Sequence, residues 1–292
     1  MRKRFAFITV CAALFICACS PAAQTTAAVA ADETEEELFR ITSIDVGKGD
    51  CLLVQTGSHN VVIDSGYNST SDIVIDHLKK CGIEDLDAMI ISHYDKDHVG
   101  GADEIIENFS VSKLYLPDYA GTGKGYKNMM KAAQKAGVSF ESVKDDSSFS
   151  LGDAEYCLYP STLKFTGDDD NDMSLAASVR YHGYSALFTG DMEDEEMSGF
   201  IAGHEEGFEK CDILKMPHHG SSDEMTQALI VMVSPDIVLV TDGKKRKMEE
   251  ELRTLLDEKR IKYYTSLKDG TITVTGGEEP KYTVTTTSGS AD

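Results

Sequence analysis

Positive charge is scarce in this chain. Its 292 residues carry 28 Lys and Arg against 50 Asp and Glu, a formal net charge of −22. So acidic a surface repels polyanions at long range and argues against a module that coats nucleic acid. Phosphate chemistry at a bound cation is not excluded, because a cation dominates the field around it. Any CxxC pair is also missing. Beyond Cys19 the cysteines are Cys51, Cys81, Cys157 and Cys211, spaced too widely for a structural zinc knot. The sequence does not pair these four, which read either as disulfide partners or as isolated buried thiols. No P-loop and no Ser nucleophile elbow occurs, which removes nucleotide-cradling and acyl-serine chemistry. No short repeat is found, which excludes a solenoid. Trp is absent too, and that excludes nothing.

What the N-terminus does contain is a leader pattern. Arg2, Lys3 and Arg4 precede an apolar run from Phe5 to Ala18. About 14 residues is short for a membrane span and suits a secretory signal. The run ends in Ile16-Cys17-Ala18-Cys19, which resembles a bacterial lipobox with Cys19 as the lipidated residue. An ordinary signal peptide cut within Ala22 to Ala31 is the alternative. Residues 1–18 are thus expected as signal peptide, and 19–36 as a flexible tether of small, then acidic residues. Residues 37–284 remain for one folded domain and 285–292 for a disordered tail. The mature protein is expected outside the cytoplasm, held to the membrane by its lipid anchor or secreted.

Along the domain, hydrophobic periodicity predicts strands at Leu38 to Val46, Cys51 to Gln55 and Asn60 to Ile63, then a helix at Thr70 to Cys81. Strands follow at Ala88 to Ser92 and Val111 to Leu116, and a helix at Tyr126 to Ala136. A second series of strands follows at Val138 to Val143, Glu155 to Tyr159, Leu175 to Tyr181 and Ser185 to Thr189. From Glu193 onward helices alternate with strands, and fraying is expected after Val284. The order implies an α/β protein of two similar halves, each a sheet covered by helices on its outer face.

Chemistry concentrates in Ile90-Ile91-Ser92-His93-Tyr94-Asp95-Lys96-Asp97-His98-Val99-Gly100-Gly101. An apolar strand delivers two imidazoles and two carboxylates within six residues, and the Gly pair lets the following backbone pass close by. So dense a polar cluster is costly to bury unless a cation organises it. Imidazole plus carboxylate without thiolate suits Zn²⁺, Mn²⁺ or Fe²⁺. Asp64 and Asp191 each end an apolar strand beside glycine, a usual place for a ligand in a sheet protein. Of His218 and His219, only one should face the metal, since neighbours on an extended segment point apart. His59, His182 and His204 have no such context.

The pattern HxDxDHxGG resembles the HxHxDH signature of the metallo-β-lactamase superfamily, with Asp95 in place of the middle His. That replacement is similar to the hydrolase domain of ComEC/Rec2-like competence proteins. The resemblance extends to Asp45-Val46-Gly47-Lys48-Gly49-Asp50, to Val61-Val62-Ile63-Asp64-Ser65-Gly66, to Asn171-Asp172-Met173-Ser174-Leu175, to Thr189-Gly190-Asp191, and to Leu214-Lys215-Met216-Pro217-His218-His219-Gly220-Ser221. It implies a four-layer αββα sandwich. It also implies one or two divalent ions, Zn or Mn foremost, on His93, Asp95, Asp97, His98, Asp191 and one of His218 or His219. Asp191 would bridge two metals, Asp64 would orient ligands from behind, and Asp97 would double as catalytic base. One departure stands out. The family's further His after the next strand is missing from Thr241-Asp242-Gly243-Lys244-Lys245-Arg246-Lys247.

The expected activity is hydrolysis of a phosphodiester, DNA among the candidates, by a metal-activated water. A lactam or other ester substrate is one alternative; a metal-holding lipoprotein that binds or scaffolds a partner is another. For the anchor, Cys19→Ala should move the protein from the membrane fraction to the soluble one. Unchanged sedimentation with membranes would exclude lipidation at Cys19.

Overall fold

Strand residues alternate between two cores, and that alternation sets the architecture. In the computed structural model, residues 38–167, 170–206, 208–279 and 281–288 are described, all within one unit spanning Glu33–Asp292. The expected signal peptide and tether, with Cys19, lie outside them, as do the last four residues.

The chain opens with the antiparallel strands β1 (Phe39–Ser43), β2 (Leu52–Thr56) and β3 (His59–Ile63). Helix α1 (Ser71–Lys80), the short β4 (Asp85–Leu86) and β5 (Ala88–Ile90) follow, then α2 (Ala102–Asn108), β6 (Ser110–Val111), β7 (Lys113–Pro117), α3 (Lys124–Ala136) and β8 (Ser139–Val143). The second half repeats the plan. It runs β9 (Ser147–Leu151), β10 (Ala154–Tyr159), β11 (Ala176–Tyr181), β12 (Tyr184–Phe188), α4 (Asp194–His204), β13 (Ile213–Lys215), α5 (Thr226–Val233), β14 (Ile237–Val240), α6 (Glu250–Lys259) and β15 (Lys262–Thr265). Helix α7 (Ser266–Asp269), β16 (Ile272–Gly276) and β17 (Tyr282–Thr286) complete it.

One sheet has the order β17-β16-β1-β2-β3-β5-β7-β8 and the other β15-β14-β13-β12-β11-β10-β9. Successive residues in each strand serve different cores. Leu52, Val54, Val61, Ile63, Ala88 and Ile90 meet Tyr156, Leu158, Val179, Phe188 and Ile213 between the sheets. Their neighbours Leu53, Val62 and Met89 pack outward on α1, α2 and α3. On the far side Leu187, Leu214, Val238 and Val240 pack on α4, α5 and α6. Strands buried on both faces carry apolar runs rather than strict alternation. The result is the expected four-layer αββα sandwich.

Within each half an antiparallel meander gives way to parallel βα units. Strands β3, β5, β7 and β8 pair in parallel, as do β12, β13, β14 and β15. The loops leaving the ends of β3, β5, β12, β13 and β14 carry Asp64, His93, Asp191, His219 and Thr241. The fold therefore delivers polar groups from both halves to one edge of the sandwich.

Several elements differ from expectation. Strand β1 stops at Ser43 rather than running to Val46, because the Asp45-to-Gly47 turn closes on itself, Gly47 N donating to Asp45 Oδ1. Helix α2 has no counterpart in the sequence reading, since its apolar stripe (Ile105, Ile106) is only two turns long. Strand β9 is equally silent in the sequence because its Ser-rich face is largely open to solvent. The chain also stays paired past Val284: β17 continues to Thr286, into the stretch expected to fray and begin the tail. Cys51, Cys81, Cys157 and Cys211 are free thiols, Cys51 and Cys211 buried. Among the described residues no helix is long and apolar enough to cross a membrane.

One buried acid ties α4 to the loop that follows β10. Glu196, 1% exposed, accepts hydrogen bonds from Ser161 Oγ (2.8 Å), Thr162 N (3.0 Å) and Thr162 Oγ1 (3.0 Å). Burial outweighs those donors and pushes its carboxyl from the ordinary 4.5 up to about 7. A raised carboxyl favours the folded state while protonated. Its contribution should be present below pH 4.5 and lost as pH rises to about 7. Denaturant unfolding of Glu196→Gln across that window should show a shallower decline in stability than the parent; parallel curves would refute the assignment.

Candidate metal centre

Asp64 closes β3 with a left-handed backbone, φ 56°. This turns its carboxylate under the next parallel strand. Oδ1 accepts from Ser92 N (2.8 Å), while Oδ2 accepts from Ser92 Oγ (2.6 Å) and from His98 Nδ1 (2.8 Å). Because the Ser92 hydroxyl spends its proton on Asp64, it can only accept from His93 Nδ1, 3.1 Å away. A parallel relay serves His219. Thr241 Oγ1 donates to Asp50 Oδ1 at 2.6 Å and accepts from His219 Nδ1 at 3.1 Å. Each of the three buried imidazoles thus has its Nδ1 proton engaged, which leaves Nε2 as the nitrogen with a free lone pair. None of those Nε2 atoms has a hydrogen-bond partner of acceptable geometry, and the same is true of Asp191 Oδ1.

These atoms converge. Asp191 Oδ2 lies 2.9 Å from His219 Nε2 and 3.2 Å from His98 Nε2, and the His93 and His98 rings are 4.1 Å apart. Ligand atoms of Asp50, His98, Asp191 and His219 all fall within 4.8 Å of one another. Asp97 Oδ2 sits at the rim, 3.5 Å from His219 Nε2 and in contact with Lys48 Nζ. Behind the cluster the fully buried Lys215 ammonium donates to Gly190 O (2.9 Å), pairs with Asp50 and lies 3.5 Å from Asp191 Oδ1.

The electrostatics follow from the count of charges. Asp50, Asp64, Asp97 and Asp191 are buried, and among the described residues Lys215 and Lys48 are the fixed cations that reach them. Burial opposes ionisation of Asp50 and Asp191, yet Lys215, His98 and His219 hold both carboxyls below the ordinary range. Burial should likewise keep the histidines neutral. Instead Asp191, Asp50 and Asp64 hold His98 well above its usual value, and Asp191 helps push His219 up to about 9. The carboxylates draw protons onto the imidazoles because the site lacks two positive charges, which is what one divalent cation supplies. A buried cluster of imidazole nitrogens and carboxylate oxygens fits a divalent transition-metal ion by donor chemistry.

Local backbone explains the placement. Gly190 has φ 57°, and a side chain there would strike Ser174 Oγ at 2.7 Å and Ser92 Cβ at 2.8 Å. Ser174 Oγ also accepts from Asp191 N at 3.0 Å, so the Asn171-to-Leu175 segment fixes Asp191 through its backbone. Gly100 likewise leaves no room for a Cβ, which would lie 2.1 Å from Lys96 O. His218 and His219 do not form the extended segment expected. Both take left-handed backbone, φ 47° and 56°, conformations uncommon outside glycine. The resulting turn buries His219 in the cluster and sends His218 Nδ1 to within 3.2 Å of Glu193 Oε1.

Of the residues singled out in the sequence, the structure brings together His93, His98, Asp97, Asp191 and His219, with Asp64 behind them. It leaves Asp95 exposed at the rim and His218 outside. Three further participants lie inside recognised motifs without being singled out by the sequence. Lys215 is legible as a lysine inside an apolar strand, which has to find a buried partner. Asp50, following Gly49, has no signal that separates it from a turn residue. Thr241, at the strand end where the family's further His was sought, carries the hydroxyl relay.

The metallo-β-lactamase superfamily domain matches residues 44–240. ComE operon protein 3 of Bacillus subtilis is 26% identical over 258 residues, covering 80% of this chain and 32% of that protein. Recombination protein 2 of Haemophilus influenzae is 26% identical over 216 residues, covering 70% of this chain and 24% of that protein. The chain therefore spans a third or less of these relatives. Among solved structures, the metallo-β-lactamase fold protein YhfI of Bacillus subtilis superposes with a TM-score of 0.56 at 13% identity, covering 82% of this chain and all of that one.

Removing the internal cation tests the charge balance. Lys215→Met should destabilise the metal-free protein by about 3–5 kcal/mol, the scale for breaking a buried pair. Denaturant unfolding in a chelator reads this, and a loss below about 1 kcal/mol would show that the buried acids do not depend on Lys215. By the extent of the domain match, supported by the fold, this chain belongs to the metallo-β-lactamase superfamily.

Proposed function

We propose that this protein is a metal-dependent phosphodiesterase acting on a phosphodiester chain, with nucleic acid as the leading substrate class. The observation that carries this reading is the convergence of two bare Nε2 atoms, on His98 and His219, upon Asp191, with the buried His93 ring 4.1 Å from that of His98. His93, His98, His219 and Asp191 would hold a first cation, with Asp97 at the rim and Asp95 available to a second. A divalent cation bound there supplies a water of lowered pKa and an electrophilic contact for a phosphoryl oxygen.

The chain's own residues do the rest. Asp64 and Ser92 fix the tautomers of His98 and His93, and Thr241 fixes that of His219. Asp97 is kept ionised against the penalty of burial by His219, His98 and Lys48, the state from which a proton acceptor must start. Support for a nucleic-acid substrate comes from the relatives, one of which is named for recombination. Support for turnover over scaffolding comes from the completeness of the orienting hydrogen bonds, which a passive metal holder would not need.

Purified protein should carry one or two divalent transition-metal ions per chain and cleave bis-p-nitrophenyl phosphate. Asp97→Asn should keep the fold and lose about 10²-fold or more in rate, the scale for removing a general base. Asp191→Asn should lower activity in a way that excess metal partly restores. His204 is a suitable control: its ring is spent on Phe200 O and Asp146, outside the centre. Elemental analysis without metal after reconstitution, or full activity of Asp97→Asn, would overturn the reading.

A further inference from the structure

The chain's densest run of cations, Lys244-Lys245-Arg246-Lys247, lies in a protein of net charge −22 and falls at the mouth of the metal centre. Its placement is fixed at both ends. Thr241, just before it, bonds Asp50 and His219 inside the site. Gly243 packs so closely on the Lys48 backbone that a Cβ there would lie 2.6 Å from Lys48 N. Gly243 N donates to Arg246 O (2.7 Å) and Arg246 N returns a bond to Gly243 O (3.1 Å), closing a tight turn. Arg246 then reaches Ser221 Oγ, two residues from His219. Asp242 holds the base of the loop through Met248 N and Leu267 N.

Lys244, Lys245 and Lys247 are exposed, and no ion pair to a carboxylate is found for them among the described residues. Clustering like charges without acid partners is unfavourable in a folded chain, and acids are plentiful here. A rigid loop that presents three uncompensated ammonium groups beside a cation site is suited to a second anionic group on the substrate. Aromatic rings border the 93–98 loop of the same centre. The Tyr67 ring abuts Asp97, and half-buried Tyr119 bonds Tyr94 N through its hydroxyl and meets the half-buried Phe165 ring at 4.4 Å, tilted by 34°. Half-exposed rings and a basic loop around one site form the pairing that single strands use, with the basic groups for phosphates and the rings for bases.

We infer that the loop at 243–247 is a phosphate grip that holds a single-stranded nucleic acid one or more phosphates away from the bond being cut. The inference rests on the phosphodiesterase reading for its substrate, but its test does not require turnover. Arg246 is left in place because it braces the loop. The triple variant Lys244→Gln, Lys245→Gln, Lys247→Gln is compared with the parent, both metal-loaded and both carrying Asp97→Asn. Binding of a fluorescein-labelled oligothymidylate of about 12 nucleotides is read by anisotropy across salt concentrations. The variant should bind about tenfold more weakly. Its slope of log K against log salt should fall by about 2, at roughly 0.7 for each phosphate that is no longer neutralised.

A second arm restores Asp97 and compares turnover of the oligonucleotide with that of bis-p-nitrophenyl phosphate, which offers no second phosphate. The loss on the oligonucleotide should exceed the loss on the small ester by about tenfold, one charge-assisted contact or more. Unchanged affinity and salt slope would overturn the inference. So would equal losses on both substrates, since the loop would then be shaping the metal centre alone. Displacement of the oligonucleotide by a polyglycerol phosphate at equal phosphate concentration would overturn the assignment to nucleic acid. Failure to cleave either substrate would fall on the phosphodiesterase reading, and the anisotropy would still decide the grip.

Discussion

Everything at the functional edge depends on burying carboxylates that water would otherwise solvate. Asp64 is the first of them, because its two oxygens set the orientation of Ser92, His98 and, through the serine hydroxyl, His93. Asp50 plays the same part from the far side through Thr241 and His219. Neither acid need touch a metal to decide which imidazole nitrogens face one. The arrangement is stable only if positive charge is supplied, partly by Lys215 and partly by what the centre binds.

Much of this is legible in the chain. The alternation of strands and helices and the His/Asp cluster both follow from local composition. The two-half architecture is legible because strands buried on both faces leave unbroken apolar runs such as Ile237 to Val240. Short elements with open faces are not, as α2 and β9 show, since their periodicity is too brief to separate from loop. The site is half legible. His93, His98, Asp97 and Asp191 sit in recognisable runs, whereas the choice between His218 and His219 depends on two left-handed residues that no periodicity announces. Asp95 reads identically to Asp97 in the sequence, and only the turn between them sends one outward.

The division of labour between halves is uneven. The first half brings the dense loop at 93–98 and its supporting acids. The second brings Asp191, Lys215, His219 and Thr241, one or two from each strand end. Lys215 from the second half grips Asp50 from the first, so the two halves share a charge that neither could bury alone.

The pairing of β1 with β16 has a consequence for how the protein is made. Arg40 lies opposite Thr275, a separation of 235 residues. The first sheet therefore cannot finish until the chain is available as far as β16. Until then the outer edge of β1, with Phe39 and Ile41, is an open row of backbone donors and acceptors. Contacts so distant along the chain slow folding and prolong exposure of such an edge. Strands β16 and β17 act as the latch, and a chain truncated before Ile272 would keep all its metal-facing residues while leaving that edge uncovered.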